Sequence, residues 1–232
     1  MAKIIAYENE ELTIQVKVKL TGSMFEMENA ILDACNEIGS LATIEALKKF
    51  DTDGSPIKLG GIKMTSRLKA NKLYRTPYGN ATLERHVYQT SKGGKIYCPL
   101  DDKARIIRGS TPKFAQQLSH KYSNSNATAV CRDLKENHNR VIAHSYLQEV
   151  SEWIGGIAQA KEEIWEYDTP EFDDTISTVV VSLDGAYVLM REEKYREAMV
   201  GNISLYDVKG ERQHTIYIEK PLNMEKGLFF SV

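Results

Sequence analysis

The sequence predicts an α+β fold, and three observations lead to it. Residues 61–109 carry β-favouring runs, helical periodicity fills 110–168, and strand-like runs return beyond 175, with turn-forming clusters at the boundaries. A length of 232 residues against a prior of about 150 per domain favours two domains slightly. Hydrophobic residues at 42% and charged residues at 27% place the chain among soluble globular proteins able to bury a core.

The first expected unit, residues 1–60, is a strand and helix cap with a linker. Leu12 to Leu20 alternates apolar and polar residues, the pattern of a half-buried strand. Phe25, Ala30, Ile31, Ala34, Ile38, Leu41, Ile44 and Leu47 then recur near helical spacing, with Gly39 as a point of interruption. Turn signals crowd Asp51 to Gly61, and "TDGSP" lacks the alternating oxygen ligands and closing Glu of a calcium loop, so it reads as a linker.

Residues 61–109 form a basic β-hairpin region. Tyr74, Leu83, Val87, Ile96 and Tyr97 supply the strand content, and Pro77–Asn80 and Ser91–Gly94 supply the turns. Arg75, Arg85, Lys92 and Lys95 stand among these aromatics, a mixture suited to phosphate contact and base stacking. Basic side chains that merely lie along a hairpin would look the same in sequence.

Residues 110–168 read as three helices in a helix-turn-helix-like arrangement. Ser110 is the expected N-cap and Pro112 the first-turn proline. A second helix presents Ala127, Val130, Cys131 and Leu134 on one side, and "HNR" turns into a third with Ile142, Tyr146, Val150, Trp153 and Ile157 inward. In a DNA-reading geometry the start of the third helix faces the major groove. Asn139, Arg140 and His144 are then the candidate base readers, with Lys113, Lys121, Arg132 and Lys135 on phosphates. Three-helix layouts also serve as plain scaffolding.

Charge separates the regions. From Gly61 to Arg140 there are 16 Lys or Arg against 5 Asp or Glu, whereas the remainder has 14 against 27. Such asymmetry is the footprint of a polyanion-binding segment joined to an acidic one, although a solvated basic face would give the same count. Cys35, Cys98 and Cys131 are odd in number and unpaired in spacing, which argues for reduced thiols over disulfides or a zinc knuckle. No apolar run reaches membrane-spanning length, and the N-terminus turns acidic early. The expectation is a cytoplasmic protein with no membrane partner.

Residues 169–232 open with an acidic, proline-containing break and then show three strand-like runs joined as hairpins, with Asp207–Glu211 as a turn. The first, "TVVVSLDGAYVLM", is the most apolar and is expected to be buried and central. It carries Asp184, and a buried carboxylate must be paired, metal-bound or neutralised.

The blocks "TPYGNATLERHVYQTSKGGKIYCPLDDKARI", "TPKFAQQLSHKYS", "VCRDLKENHNR", "VSLDGAYVLM" and "YREAMVGNISLYDVKGERQHTIYIEKP" resemble, in order and spacing, bacterial insertion-sequence transposases of the ISKra type. The resemblance covers about Leu73 to Pro221. It implies a ribonuclease H-like DDE domain whose first three strands lie in residues 169–232, Asp184 as the first catalytic and metal-binding carboxylate, Mg²⁺ as cofactor, and double-stranded transposon-end DNA as partner. It also implies a departure, because 48 residues follow Asp184 and the second Asp and the Glu of the family lie further on. Asp207, Glu211, Glu219 and Glu225 have ordinary turn and strand-exit explanations. The expected activity is DNA binding without strand cleavage by this chain alone, with self-association or full-length transposase as further partners. A non-catalytic DNA-binding regulator is the alternative.

Overall fold

The computed structural model describes residues 2–162, 164, 168, 170–172, 174–190 and 194–220. It is α+β, with sheets that are antiparallel throughout. Two compact units divide it, Met1–Trp165 and Glu166–Val232.

The first unit opens with a hairpin of β1 (Lys3–Glu8) and β2 (Glu11–Gln15), so the alternation from Leu12 forms a strand only as far as Gln15. Helix α1 runs unbroken from Met24 to Lys48. Ser23 starts it with a capping box: its hydroxyl accepts from the Glu26 amide while the Glu26 carboxylate accepts from the Ser23 amide. These bonds hold the Glu26 pKa below the ordinary carboxylate value. Gly39 does not interrupt the helix. It leaves room for Tyr78, since a Cβ there would lie 2.3 Å from the ring's Cγ.

The four-stranded sheet runs in the order β3 (Ile57–Leu59), β4 (Ile62–Arg75), β5 (Asn80–Thr90), β6 (Gly93–Tyr97). Helix α1 packs on β5, and Leu47 joins Tyr74, Leu83, Leu100 and Ala104 in a core that also takes in α2 (Pro99–Lys103). The turn-rich stretch after α1 is tied down rather than a free linker. Asp51 accepts from the His86 amide and lies 3.0 Å from its Nδ1, Thr52 meets the Tyr88 hydroxyl at 2.7 Å, and that hydroxyl donates to the Ser55 carbonyl.

Three helices follow: α3 (Pro112–Asn124), α4 (Ala127–His138) and α5 (His144–Glu162). Phe114, Leu118, Val130, Leu134, Leu147 and Val150 close their core. Each of the larger side chains contributes about 1.5–3 kcal/mol by leaving water. Asn126 caps α4 by accepting from the Ala129 amide. At α3 the cap position belongs to Thr111, not Ser110; Ser110 is buried instead, its hydroxyl 2.5 Å from that of Tyr146.

The second unit is a meander of β7 (Ile176–Met190), β8 (Lys194–Asp207) and β9 (Arg212–Lys220). The expectation of a buried, central first strand is corrected. In a three-strand meander the middle strand of the sequence is also the middle of the sheet, so among the described residues β8 is central and β7 is an edge. The β7 residues Val179, Val181, Leu183, Tyr187 and Leu189 are exposed. Asp207 does organise the β8–β9 turn: its carboxylate accepts from the amides of Lys209 and Glu211 and from Gln213. The apolar run "EKGLFFSV", with Glu225, lies outside the described residues.

Candidate nucleic-acid interface

The loop between α4 and α5 and the first residue of α5 carry the three expected base readers, and the structure separates them. Asn139 ends α4 in the left-handed region, at φ 51°, which a short amide side chain tolerates better than most. Its Nδ2 donates to Asp33 on α1 at 2.7 Å. Arg140 is buried, 6% exposed. Its Nε donates to the Thr76 carbonyl, its terminal nitrogen donates to Asn80, and the guanidinium lies over the Phe114 ring. Its role as a base reader is therefore corrected: a guanidinium consumed inside the fold is out of reach of a base edge. His144 is exposed at the first residue of α5.

The phosphate candidates divide likewise. Arg132 and Lys135 project into solvent from α4, with no ion pair formed by either among the described residues. Lys113 is exposed near the start of α3 and donates to Gln116. Lys121 is spent on Asp133, 2.6 Å away across the α3–α4 gap, and that hydrogen bond, with a second from Asn137, depresses the Asp133 pKa.

On the sheet, Lys92 and Lys95 are exposed around the β5–β6 turn. Arg85 is not available: it is buried, its Nε donates to the Tyr74 hydroxyl at 2.8 Å, and it pairs with Asp101. The Tyr74 hydroxyl donates in turn to Asp101 at 2.5 Å. Burial, followed by the bond to Asp101, pushes the Tyr74 pKa far above its ordinary value. Arg75 occupies an intermediate position, half-buried at the end of β4 with its guanidinium 3.9 Å from the centre of the Tyr146 ring.

In the second unit Asp184 faces solvent on β7, opposite Val200 on β8. Its Oδ1 accepts from the amide of Gly185, and no basic side chain pairs with it among the described residues. The oddity of a carboxylate within an apolar run is resolved by exposure. No group of three or more His, Cys, Asp or Glu able to hold a metal occurs among the described residues. One exposed carboxylate offers hard oxygen ligands of the kind Mg²⁺ takes, but a two-ion site needs several, so the described residues do not complete one and no cleavage step is assigned to Asp184.

Sequence reasoning missed Lys72, Arg108 and Trp153, which line one cleft. Trp153 was expected inward, yet it is 54% exposed with the Arg108 guanidinium 5.6 Å from its ring centre. An aromatic at helical spacing signals a face, and nothing local reveals that no helix covers it. No helix among the described residues is long and apolar enough to cross a membrane. In comparisons with known proteins, no family model matches the chain and no curated protein is found similar to it.

Proposed function

We propose that this chain binds double-stranded DNA as the end-recognising part of a DDE-type transposase, with Asp184 as the first carboxylate of that chemistry. The observation that carries the reading is the concentration of cations in residues 61–140, of which Lys92, Lys95, Arg132 and Lys135 are exposed and free of ion pairs among the described residues. Cations held away from carboxylates retain their full charge for phosphates, and displacing counterions from DNA is what drives such binding. The resemblance in sequence blocks and the solvent-facing Asp184 support the transposase assignment. Under this reading Mg²⁺ is the ion Asp184 would help to hold, full-length transposase or a second copy is a further partner, and this chain alone binds ends without nicking them.

Asp184, grouped with no further metal-holding side chains among the described residues, also favours a second reading, a DNA-binding regulator in which the three-stranded sheet has no catalytic part. A labelled duplex carrying insertion-sequence ends, incubated with the full chain and Mg²⁺, tests both. Retardation without nicking, unchanged in Asp184→Ala, is expected of the chain alone. Nicking that disappears in Asp184→Asn would overturn the absence of cleavage, and no retardation at low salt would overturn DNA binding altogether.

A further inference from the structure

Arg75 and Arg140 pose an electrostatic problem. Arg140 is buried and Arg75 half-buried, and the two are near enough for the charge of Arg75, after burial itself, to depress the Arg140 pKa. Arg140 meets only neutral acceptors, and no carboxylate pairs with either side chain among the described residues. Two neighbouring like charges without a counter-charge are unfavourable in a low-dielectric setting unless an anion joins them.

The space for an anion lies on the solvent side of Arg75. A cleft of about 730 Å³ opens between the end of β4, the loop 106–109 and α5, and Lys72, Arg75, Arg108 and Trp153 line it. Its two acids are already committed, Glu149 to Arg108 and Asp101 to Tyr74 and Arg85. Lys72 and Arg75 therefore supply the uncompensated charge. Trp153 supplies an exposed indole on the same helix stripe as Tyr146 and Glu149. A second cleft of about 800 Å³ adjoins the first, sharing Asp101, Ile106, Ile107 and Ile157, and brings Arg105, Lys161 and Tyr97 to its walls together with Asp102, which accepts from the Tyr97 hydroxyl. Cations and aromatics thus occur on the walls of both clefts.

We propose that this cleft holds an unpaired nucleotide of a DNA strand, with its phosphate on Lys72 and Arg75 and its base against the Trp153 indole. The proposal rests on the DNA-binding reading and adds a preference within it. A base inside a duplex is stacked on both faces and cannot present either to an indole, whereas an overhang, a gap or an extruded base can. Inorganic phosphate would use the cations and leave the indole idle. Cations and aromatics on the walls of both clefts match a strand of nucleotides better than a single small anion.

The test uses the full chain carrying Trp165→Phe, which leaves Trp153 as its single tryptophan. Titration with single-stranded oligothymidylate should quench the Trp153 emission saturably. Lys72→Ala, at an exposed position on β4, should weaken that binding while the melting temperature stays as in the parent, and Trp153→Ala should weaken binding of a dye-labelled oligothymidylate about tenfold, the loss that one base–aromatic stack carries. Inorganic phosphate or polyglutamate that displaces the oligonucleotide at matched ionic strength would reduce the cleft to a general anion site and overturn the proposal. Absence of quenching while a labelled duplex still binds would overturn it and leave DNA binding standing. Failure of duplex and single strand alike would remove both.

Discussion

The Nε of Arg140 donates to the Thr76 carbonyl at 3.0 Å, joining the α4–α5 loop to the residue that follows β4 through a buried guanidinium. The same junction is reinforced where the Arg75 amide donates to Gly109 and the Thr111 amide donates to the Arg75 carbonyl. Arg140 is thus part of what makes the sheet and the three helices one unit. Arg140→Ala should lower stability by about 1.5–3 kcal/mol, as expected for loss of charged hydrogen bonds in a buried setting. Chemical denaturation measures this, and the DNA salt dependence of the folded variant should stay as in the parent.

Asn139 gives a companion prediction. Its left-handed backbone disfavours a residue with a Cβ and no local polar group, so Asn139→Gly should be tolerated, whereas Asn139→Ala should cost about 1 kcal/mol. A base-reading Asn would show the opposite pattern, with both changes equally damaging to DNA affinity and neither to the melting temperature.

The Tyr74–Asp101–Arg85 network predicts an alkaline limb of instability. The folded-state pKa of Tyr74 lies above its ordinary value of 10.0, so the unfolded chain releases this proton first. The stabilisation is complete below about pH 10 and declines as pH rises beyond it. Tyr97, whose pKa is raised by burial and by its bond to Asp102, adds a change of the same sign. Tyr74→Phe should cost about 1–3 kcal/mol at neutral pH, because Arg85 and Asp101 each lose a partner, and it should flatten the alkaline limb. Melting temperatures measured at a series of pH values check both.

Gly39 and Tyr78 form a coupled pair. Alanine is preferred over glycine within a helix by about 1 kcal/mol, yet a Cβ at position 39 collides with the base of the Tyr78 ring. Gly39→Ala alone should therefore destabilise, and Gly39→Ala combined with Tyr78→Ala should exceed Tyr78→Ala alone in melting temperature.

Much of the architecture was legible from periodicity and turn chemistry. The helices around Leu118, Leu134 and Leu147, the hairpin turns at 77–80 and 207–211, and the three strands of residues 176–220 all follow from local pattern. What could not be read was where each charge is spent. Arg85 and Arg132 look alike in sequence, but one is enclosed by Tyr74 and Asp101 and the other faces water, a difference set by residues far away in the chain. The same holds for covering layers. β7 is the most apolar strand yet is an edge, and Trp153 keeps helical register while lying open, because periodicity identifies a face without naming what packs on it. Asp184 reads differently once its exposure is known: it needs no partner to be tolerated.

The salt dependence of duplex binding tests the central claim most directly. Fluorescence anisotropy of a labelled duplex with the full chain, repeated across a salt series, should give an affinity that falls linearly in log–log form, with a slope of about −0.9 per phosphate neutralised. Lys92→Ala with Lys95→Ala, or Arg132→Ala with Lys135→Ala, should make that slope shallower by up to about 1.8 while the protein remains folded. Absence of duplex binding at low salt, or a slope untouched by both pairs of substitutions, would contradict the account.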